Sequence, residues 1–268
     1  MTSRIHSLLA LAMGAVLLPI ASRATTFNWP TTPAFPAGPT VGKSALGIYG
    51  GLGAVSITNV ADPSTGTGGT WTAGYPKVES NGGTNGDPTG GTTNTPGLEL
   101  YVAGQPTVNS YMKVVISFGY TGGVTNASLT LWDVDSSTNF TDKIANIVGV
   151  TANGTLVPLT VTGSADNTVT GSGTVNATAV GTTNSPNNSA TGNVTISSGT
   201  IPIQEITFSY YDSNATQRTT QIIGISPITF TPIGSATPEM GSALGSLILC
   251  GGVVGLGALR RRKNRACV

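Results

Sequence analysis

A run of 20 mostly apolar residues, Met240 to Leu259, lies near the end of this 268-residue sequence and is followed by a basic cluster: Arg260, Arg261, Arg262, Lys263 and Arg265. An α-helix of that length would span roughly 30 Å, the thickness of a bilayer's hydrocarbon core. Because guanidinium and ammonium groups resist crossing a membrane, the cluster predicts a membrane stop that leaves the tail in the cytoplasm. The chain before this predicted transmembrane helix is therefore expected to fold on the other side of the membrane.

The tetrapeptide Thr237-Pro238-Glu239-Met240 stands at the start of the apolar run. A Pro-Glu dipeptide, a glycine-rich hydrophobic helix and an arginine cluster in this order resemble the PEP-CTERM sorting tail of proteins exported by Gram-negative bacteria. Pro238 and Glu239 match the family's usual Val-Pro-Glu-Pro, whereas Thr237 and Met240 differ from it. The resemblance, over residues 236 to 265, implies recognition and cleavage by exosortase, a membrane-embedded cysteine protease.

The first 24 residues have the pattern of a secretory signal peptide with a helical apolar segment. Arg4 precedes an apolar run from Leu8 to Ala21, and Ser22-Arg23-Ala24 places small residues at the two positions that a signal peptidase reads. Cleavage between Ala24 and Thr25 is the prediction, and an uncleaved signal anchor is the alternative. Either form needs the secretion translocon and takes the middle of the chain across the inner membrane, to the cell surface or the extracellular matrix.

The predicted exported body, residues 25–236, contains five basic and ten acidic residues, which gives a formal charge of about −5. So few Lys and Arg residues cannot neutralise many phosphates, and nucleic acid is therefore not an expected partner. His6 lies in the predicted signal peptide, while Cys250 and Cys267 lie in the predicted membrane segment and tail. A body without His or Cys excludes Ser-His-Asp and Cys-His catalysis and the usual zinc, copper and haem sites.

Short β-branched and aromatic runs, separated by Gly, Asn, Pro and Asp, predict an all-β body. Its expected architecture is an antiparallel β-sandwich of jelly-roll-like type. We expect Trp132, Phe208 and Ile206 in its core. The predicted strands are Leu46 to Tyr49, Ala54 to Val60, Leu98 to Ala103, Tyr111 to Tyr120, Ala127 to Asp135, Lys143 to Thr151, Leu156 to Thr162, Thr168 to Val180, Gly192 to Ser197, Ile203 to Tyr211 and Gln221 to Phe230.

Two stretches rich in Gly, Thr, Asn and Pro interrupt this pattern. Ser64 to Gly97 is predicted to be a long surface loop, and Gly181 to Thr191 a linker between two strands. Gly234 to Thr237 is expected to be a polar spacer before the membrane segment, which would leave a protease room to approach the chain.

Asp133, Asp135 and Asp142 are the best candidates for a metal site. Hard oxygen ligands in this arrangement suit Ca²⁺, with Asp212 as a further ligand if its strand lies beside them. The alternative is that these acids end a strand in water. No other cofactor is expected. The segment around Asp133-Val134-Asp135 and Phe140-Thr141-Asp142 also resembles strand ends in β-sandwich modules of bacterial surface adhesins, a likeness that extends to Phe230.

Two classes of function fit these features. The preferred one is a non-catalytic envelope or matrix protein that binds exopolysaccharide or envelope glycan through four exposed aromatic residues: Trp71, Tyr75, Tyr210 and Tyr211. The second is a secreted carbohydrate-active enzyme. Asp133 and Asp135 on one strand face would lie about 7 Å apart, a spacing that the two carboxylates of a glycosidase permit. A third form, a permanently anchored single-pass surface protein, differs only in keeping its tail.

Overall fold

The structure is a computed structural model that describes residues 23–29, 45–49, 55–61, 70–71, 75, 77–79, 88–92, 95–103, 111–214 and 221–234. These residues form an all-β fold of seventeen strands. In chain order the strands are β1 Thr25–Phe27, β2 Ala45–Tyr49, β3 Val55–Ala61, β4 Thr70–Trp71, β5 Lys77–Glu79, β6 Gly97–Ala103, β7 Met112–Phe118, β8 Val124–Trp132, β9 Asp142–Val150, β10 Leu156–Pro158, β11 Thr160–Gly163, β12 Asn167–Thr170, β13 Ala177–Gly181, β14 Val194–Ser197, β15 Glu205–Asp212, β16 Gln221–Ile225 and β17 Ile228–Pro232.

The described strands make two sheets in which the paired strands are antiparallel. One sheet has nine strands, in the order β1-β17-β8-β16-β6-β4, with β14 also on β8, β11 on β14 and β5 on β6. The other has eight, in the order β12-β13-β9-β15-β7-β3-β2, with β10 also on β9. The predicted all-β, antiparallel, sandwich-like fold is confirmed at this level.

Both sheets contribute to one hydrophobic core because their strands alternate in burial. In β7 the side chains of Met112, Val114, Ile116 and Phe118 are buried, whereas those between them are exposed or half-buried. Leu129 and Leu131 of the nine-stranded sheet join the same cluster as Ile206 and Phe208 of the eight-stranded sheet. Alternation with a period of two turns one row of side chains away from water, which places this core between the sheets.

Several predicted strands differ from the structure where a turn or kink divides them. Thr168 to Val180 is not one strand but the hairpin of β12 and β13, whose turn contains Gly171 and Gly173, both at positive φ. Leu156 to Thr162 divides at the buried Leu159, so that β10 pairs with β9 in one sheet and β11 with β14 in the other. Gln221 to Phe230 divides at Ser226 and Pro227 into β16 and β17.

The stretch predicted as a surface loop, Ser64 to Gly97, contains structure that packs on the nine-stranded sheet. Strands β4 and β5 both pair with β6, and Pro88, Thr89 and Gly90 are buried. Beneath them lies Trp132, which is 3% exposed. A Cβ atom added at Gly90, Gly97 or Gly224 would come within 2.7 Å of the Trp132 indole. Trp132 is therefore buried as predicted, but in a slot made by glycines rather than between the sheets.

The connection from β8 to β9 brings the acidic residues into the fold. Strand β8 ends at Trp132, and the following residues form a tight loop closed by the Ser136–Thr141 bridge and by the Asp142 N–H, which donates to the Asp135 carbonyl at 2.9 Å. Strand β9 then starts at Asp142. The prediction of a strand reaching Asp135 is wrong, because the chain turns at Asp133, whose φ is 63°.

Candidate functional site

Asp133 is the first residue of the candidate acidic site. It takes a left-handed backbone conformation, which Asp tolerates better than most residues. Its side chain is buried, and its Oδ1 atom accepts no hydrogen bond. The strand geometry that would put Asp133 and Asp135 on one face does not occur here.

Asp142 is the centre of the acidic site. It is 1% exposed, and both of its carboxyl oxygens accept hydrogen bonds. Oδ1 accepts the Tyr210 hydroxyl at 3.1 Å, and Oδ2 accepts the Asp135 N–H at 3.3 Å. Asp142 therefore connects the β8–β9 loop to β15, the strand that carries Tyr210.

Asp212 is the cross-strand partner of Asp142. Its Oδ1 atom accepts the backbone N–H groups of Thr141 and Asn214, at 3.0 and 2.8 Å. Asp212 thus lies opposite Asp142 on the neighbouring strand, as the sequence predicted. Its carboxylate stabilises the backbone at Thr141 and Asn214.

The segment between β13 and β14 covers the acids. The Asp135 Oδ2 atom accepts the Ser185 N–H at 2.8 Å, and the Ser185 hydroxyl donates to Asp166 at 2.6 Å. The prediction that Gly181 to Thr191 links two strands is confirmed. A Cβ atom at Gly181 would lie 2.1 Å from the Asp135 carbonyl oxygen, so only glycine permits β13 to approach so closely.

The electrostatics of the site follow from burial. Burial, assisted by the negative charge of Asp135, raises the pKa of Asp133 to about 7. Burial also raises the pKa of Asp135 to about 6, with the Ser185 N–H opposing that rise and the charge of Asp166 adding to it. The pKa of Asp142 is raised well above its usual range, first by burial and then by the charge of Asp135.

These carboxyl groups are in an environment that favours their neutral forms. No Lys or Arg among the described residues forms a salt bridge with Asp133, Asp135 or Asp142. A buried carboxylate is costly unless a proton or a cation neutralises it. The described residues contain no group of three or more His, Cys, Asp or Glu side chains arranged to hold a metal ion. Calcium binding at these residues stays a prediction.

The four aromatic residues predicted to be exposed have different positions. Tyr210 is 0% exposed and belongs to the core, so the prediction that it is an exposed ligand-binding residue is wrong. Tyr211, the next residue on β15, points to the opposite face and is half-buried. Tyr75 is half-buried against Tyr101 and lies beneath Lys77. Trp71 belongs to β4, and its side chain lies outside the described residues.

A groove lies on the outer face of the eight-stranded sheet, on the side of Tyr211. It has a volume of about 300 Å³ and crosses β7, β9 and β15. Its polar lining consists of Tyr111, Lys113, Asn146, Asn176, Thr207 and Ser209. The ring centroids of Tyr111 and Tyr211 are 6.4 Å apart. Tyr211, one of the predicted ligand-binding residues, therefore lies beside the groove. Sequence reasoning missed this site because its residues come from strands far apart in the chain.

The remaining predicted sites lie outside the described residues. These are the sorting motif Thr237 to Met240, the transmembrane helix, the basic cluster from Arg260 to Arg265 and most of the signal peptide. Ala24 and Thr25 of the predicted cleavage site are described, and Thr25 begins β1. Within the part of the chain that the structure describes, there is no helix with the length and apolarity to cross a membrane.

Comparison of the chain with protein-family models, with curated proteins and with solved structures gave no match.

Proposed function

We propose that this chain is an exported, non-catalytic component of a bacterial cell envelope or extracellular matrix. The observation that carries the proposal is the order of its C-terminal features: Pro238-Glu239, an apolar run that ends at Leu259, and then the basic cluster. This order gives a membrane stop with a recognition motif on its outer side. Exosortase, signal peptidase and the secretion translocon are the processing partners in this proposal.

The ends of the β body support the proposed boundaries. Strand β1 begins at Thr25, directly after the proposed signal cleavage, so the cut would leave this strand intact. Strand β17 ends at Pro232, a few residues before Thr237. The two strands pair with each other, Thr25 opposite Phe230. The body therefore closes its sheet before the sorting motif begins. A jelly-roll-like sandwich between a signal helix and a membrane helix is the full architecture of the proposal.

The test is localisation together with the mature termini. In a host that carries exosortase, we expect the chain to begin at Thr25, to lack Arg260 to Val268, and to reach the cell surface or matrix. In an exosortase-deficient strain we expect it to remain in the membrane with its tail. Full-length chain that is soluble in the cytosol with residues 1–24 attached would contradict the proposal. An intact tail in surface protein would indicate permanent anchoring instead.

The alternative of a carbohydrate-active enzyme rests on the paired acids. Asp133 and Asp135 are 7% and 3% exposed, and in this arrangement they are not accessible to a saccharide chain. This burial favours the non-catalytic proposal. The discriminating measurement is the release of reducing ends from envelope and plant glycans by the full-length protein. Turnover that Asp133→Asn abolishes would favour the enzyme, whereas glycan binding without turnover would favour the envelope component.

A further inference from the structure

The groove on β7, β9 and β15 has a floor of buried side chains and an exposed rim. Thr207 and Ser209 of β15 are 8% and 5% exposed and form the polar part of this floor, beside the apolar Val148 of β9. Lys113, Asn146 and Asn176 are exposed and stand at its sides. Hydroxyl, amide and ammonium groups thus face one open space, and they can hydrogen-bond to a polar ligand.

A backbone irregularity in β9 shapes this groove. Asn146 has a φ of 54°, and the register between β15 and β9 shifts between Thr207 and Ser209. A bulge of this kind bends a strand and redirects a side chain. The turn between β12 and β13 supplies Val175 and Asn176 as the opposite wall. The shape of the groove therefore comes from the bulge in β9 and from the turn between β12 and β13.

Two tyrosines form an aromatic end of the groove. Tyr111 lines it, and Tyr211 lies beside Tyr111 with the rings tilted by 51°. The Lys143 ammonium lies 5.5 Å from the centre of the Tyr211 ring. Aromatic rings of this kind are amphipathic, with an apolar face and a polar hydroxyl. The C–H face of a sugar ring can pack on such a surface while its hydroxyls contact Thr207 and Ser209 on the floor.

The charge on this face is opposite to that of the whole body. The exported body carries five basic and ten acidic residues, yet Lys113 and Lys143 both lie on the outer face of the same sheet, in β7 and β9. Glu205 of β15 is farther along that face, where its Oε1 accepts the Ser117 hydroxyl at 3.4 Å. Two lysines on one face attract anionic ligands to that face, whereas the acidic remainder of the body repels them.

From these observations we infer that the groove binds an acidic polysaccharide whose sugars carry carboxylates. Tyr111 and Tyr211 pack against sugar rings, Lys113 and Lys143 pair with the carboxylates, and Asn146 and Asn176 bond to hydroxyls. The inference rests on the proposed function, because it is the exported body that meets such a polymer.

The test uses full-length protein purified in detergent and titrated with three probes: an oligogalacturonate, the same oligomer with its carboxyls methyl-esterified, and dextran. We expect the oligogalacturonate to bind at low salt, and the ester and dextran to bind about tenfold more weakly or not at all. Added NaCl should weaken the oligogalacturonate complex, because exposed charges are screened. Equal binding of the ester, or no binding of the oligogalacturonate, would overturn the inference.

Three variants locate the site. Lys113→Gln should weaken binding about threefold to tenfold, and Tyr211→Ala about tenfold. Tyr101→Ala is the matched control, because Tyr101 also lies beside a second tyrosine, but it belongs to β6 of the other sheet. It should bind like the parent protein. If Lys113→Gln and Tyr211→Ala bind normally, or if only Tyr101→Ala loses binding, the groove is not the site.

Circular dichroism on each variant separates loss of binding from loss of fold, and Lys113→Gln alters only an exposed side chain. The binding assay does not depend on localisation. Failure to bind in a protein that is correctly exported and cut would overturn this inference alone. Failure of export would overturn the proposed function and leave the measured affinity of the groove unchanged.

Discussion

At the scale of single residues, the buried acids are the groups whose behaviour depends most on their surroundings. Asp133, Asp135 and Asp142 are each at most 7% exposed. The charge of Asp135 acts on both Asp133 and Asp142. Asp142 accepts the Tyr210 hydroxyl, and Ser185 connects Asp135 to Asp166. Such groups keep their protons in the folded state at a pH where the unfolded chain has lost them. Their presence therefore lowers the free energy of unfolding as pH rises.

We expect the melting temperature to fall as pH rises from about 5 to about 7.5. A carboxyl whose pKa is raised by folding binds more protons in the folded state, so stability decreases as pH rises between the unfolded and the folded pKa. The ordinary Asp pKa is 3.8, and that of Asp133 in the fold is about 7. Thermal melts across this range test the direction. A melting temperature that rises through the window would contradict it.

Asp133→Asn is the matched variant for this prediction. Asn is neutral, has nearly the same shape, and tolerates the left-handed backbone at this position. We expect it to stabilise the protein by about 2 kcal/mol more at pH 7.5 than at pH 5, because the ionisation that penalises folding of the parent chain increases over this range. Equal effects at the two pH values would show that the charge of Asp133 is not responsible.

The calcium prediction is tested in the same experiment. A divalent cation that binds only the folded state raises the melting temperature with its concentration. If the acids bind Ca²⁺ together, added calcium will stabilise the protein at pH 7.5 much more than at pH 5, because protons compete for the same oxygens. A melting temperature that neither calcium nor a chelator changes would contradict the calcium prediction.

Gly181 permits a backbone approach that no other residue allows. A Cβ atom there would lie 2.1 Å from the Asp135 carbonyl oxygen, so β13 would have to move. We expect Gly181→Ala to reduce the free energy of unfolding by about 2 to 3 kcal/mol in urea titrations. Gly199→Ala is the control: its Cβ would have nothing within 4 Å, and it should stay within about 0.5 kcal/mol of the parent. Equal losses would argue against the steric reason.

At the scale of elements, the packing of residues 88–92 and 95–97 on β8 and β16 depends on the Trp132 slot. A Cβ atom at Gly97 would lie 2.2 Å from the indole, and one at Gly224 2.7 Å. We expect Gly224→Ala to cost about 1 to 3 kcal/mol, because the indole must shift. In a Trp132→Leu background the same change should cost much less. A double-mutant cycle in urea measures this coupling, and additive effects would mean that Trp132 does not set the penalty.

The divided strands indicate what local patterns can predict about elements. The alternation of apolar and polar residues predicted the strands β6 to β9, β14 and β15. Along most of each strand, one row of side chains faces the core and the other faces away from it. The same alternation continues across Leu159, although β10 and β11 belong to different sheets. Periodicity reports which side chains are buried, but not which neighbour supplies the hydrogen bonds.

At the scale of the whole molecule, the first and last described strands close the same sheet. Thr25, Thr26 and Phe27 pair with β17, and Trp29 is 2% exposed, its Nε1–H donating to the Ser226 carbonyl at 2.9 Å. The segment that follows the proposed cleavage site is therefore held to the fold by strand pairing and by the buried Trp29.

We expect a chain that begins after Trp29 to melt well below one that begins at Thr25. The shorter chain loses the Trp29 side chain, whose removal from a core typically costs about 3 to 5 kcal/mol. It also exposes the edge of β17. Trp29→Phe in the longer chain should lower the melting temperature by an intermediate amount. It keeps an aromatic side chain in the core but removes the hydrogen bond to the Ser226 carbonyl. Equal melting temperatures for the two chain lengths would mean that β1 contributes little to stability.

Side-chain alternation and turn residues were enough to predict the all-β character of the body, because both act over a few positions. Composition was enough to establish that residues 25–236 contain no His or Cys side chain. Three features required the folded chain: the burial of Tyr210 with Tyr211 on the opposite face, the glycine slot around Trp132, and the burial of all three acids at the β8–β9 connection. These outcomes depend on which distant strands become neighbours, and that choice depends on packing across the whole core rather than on local pattern.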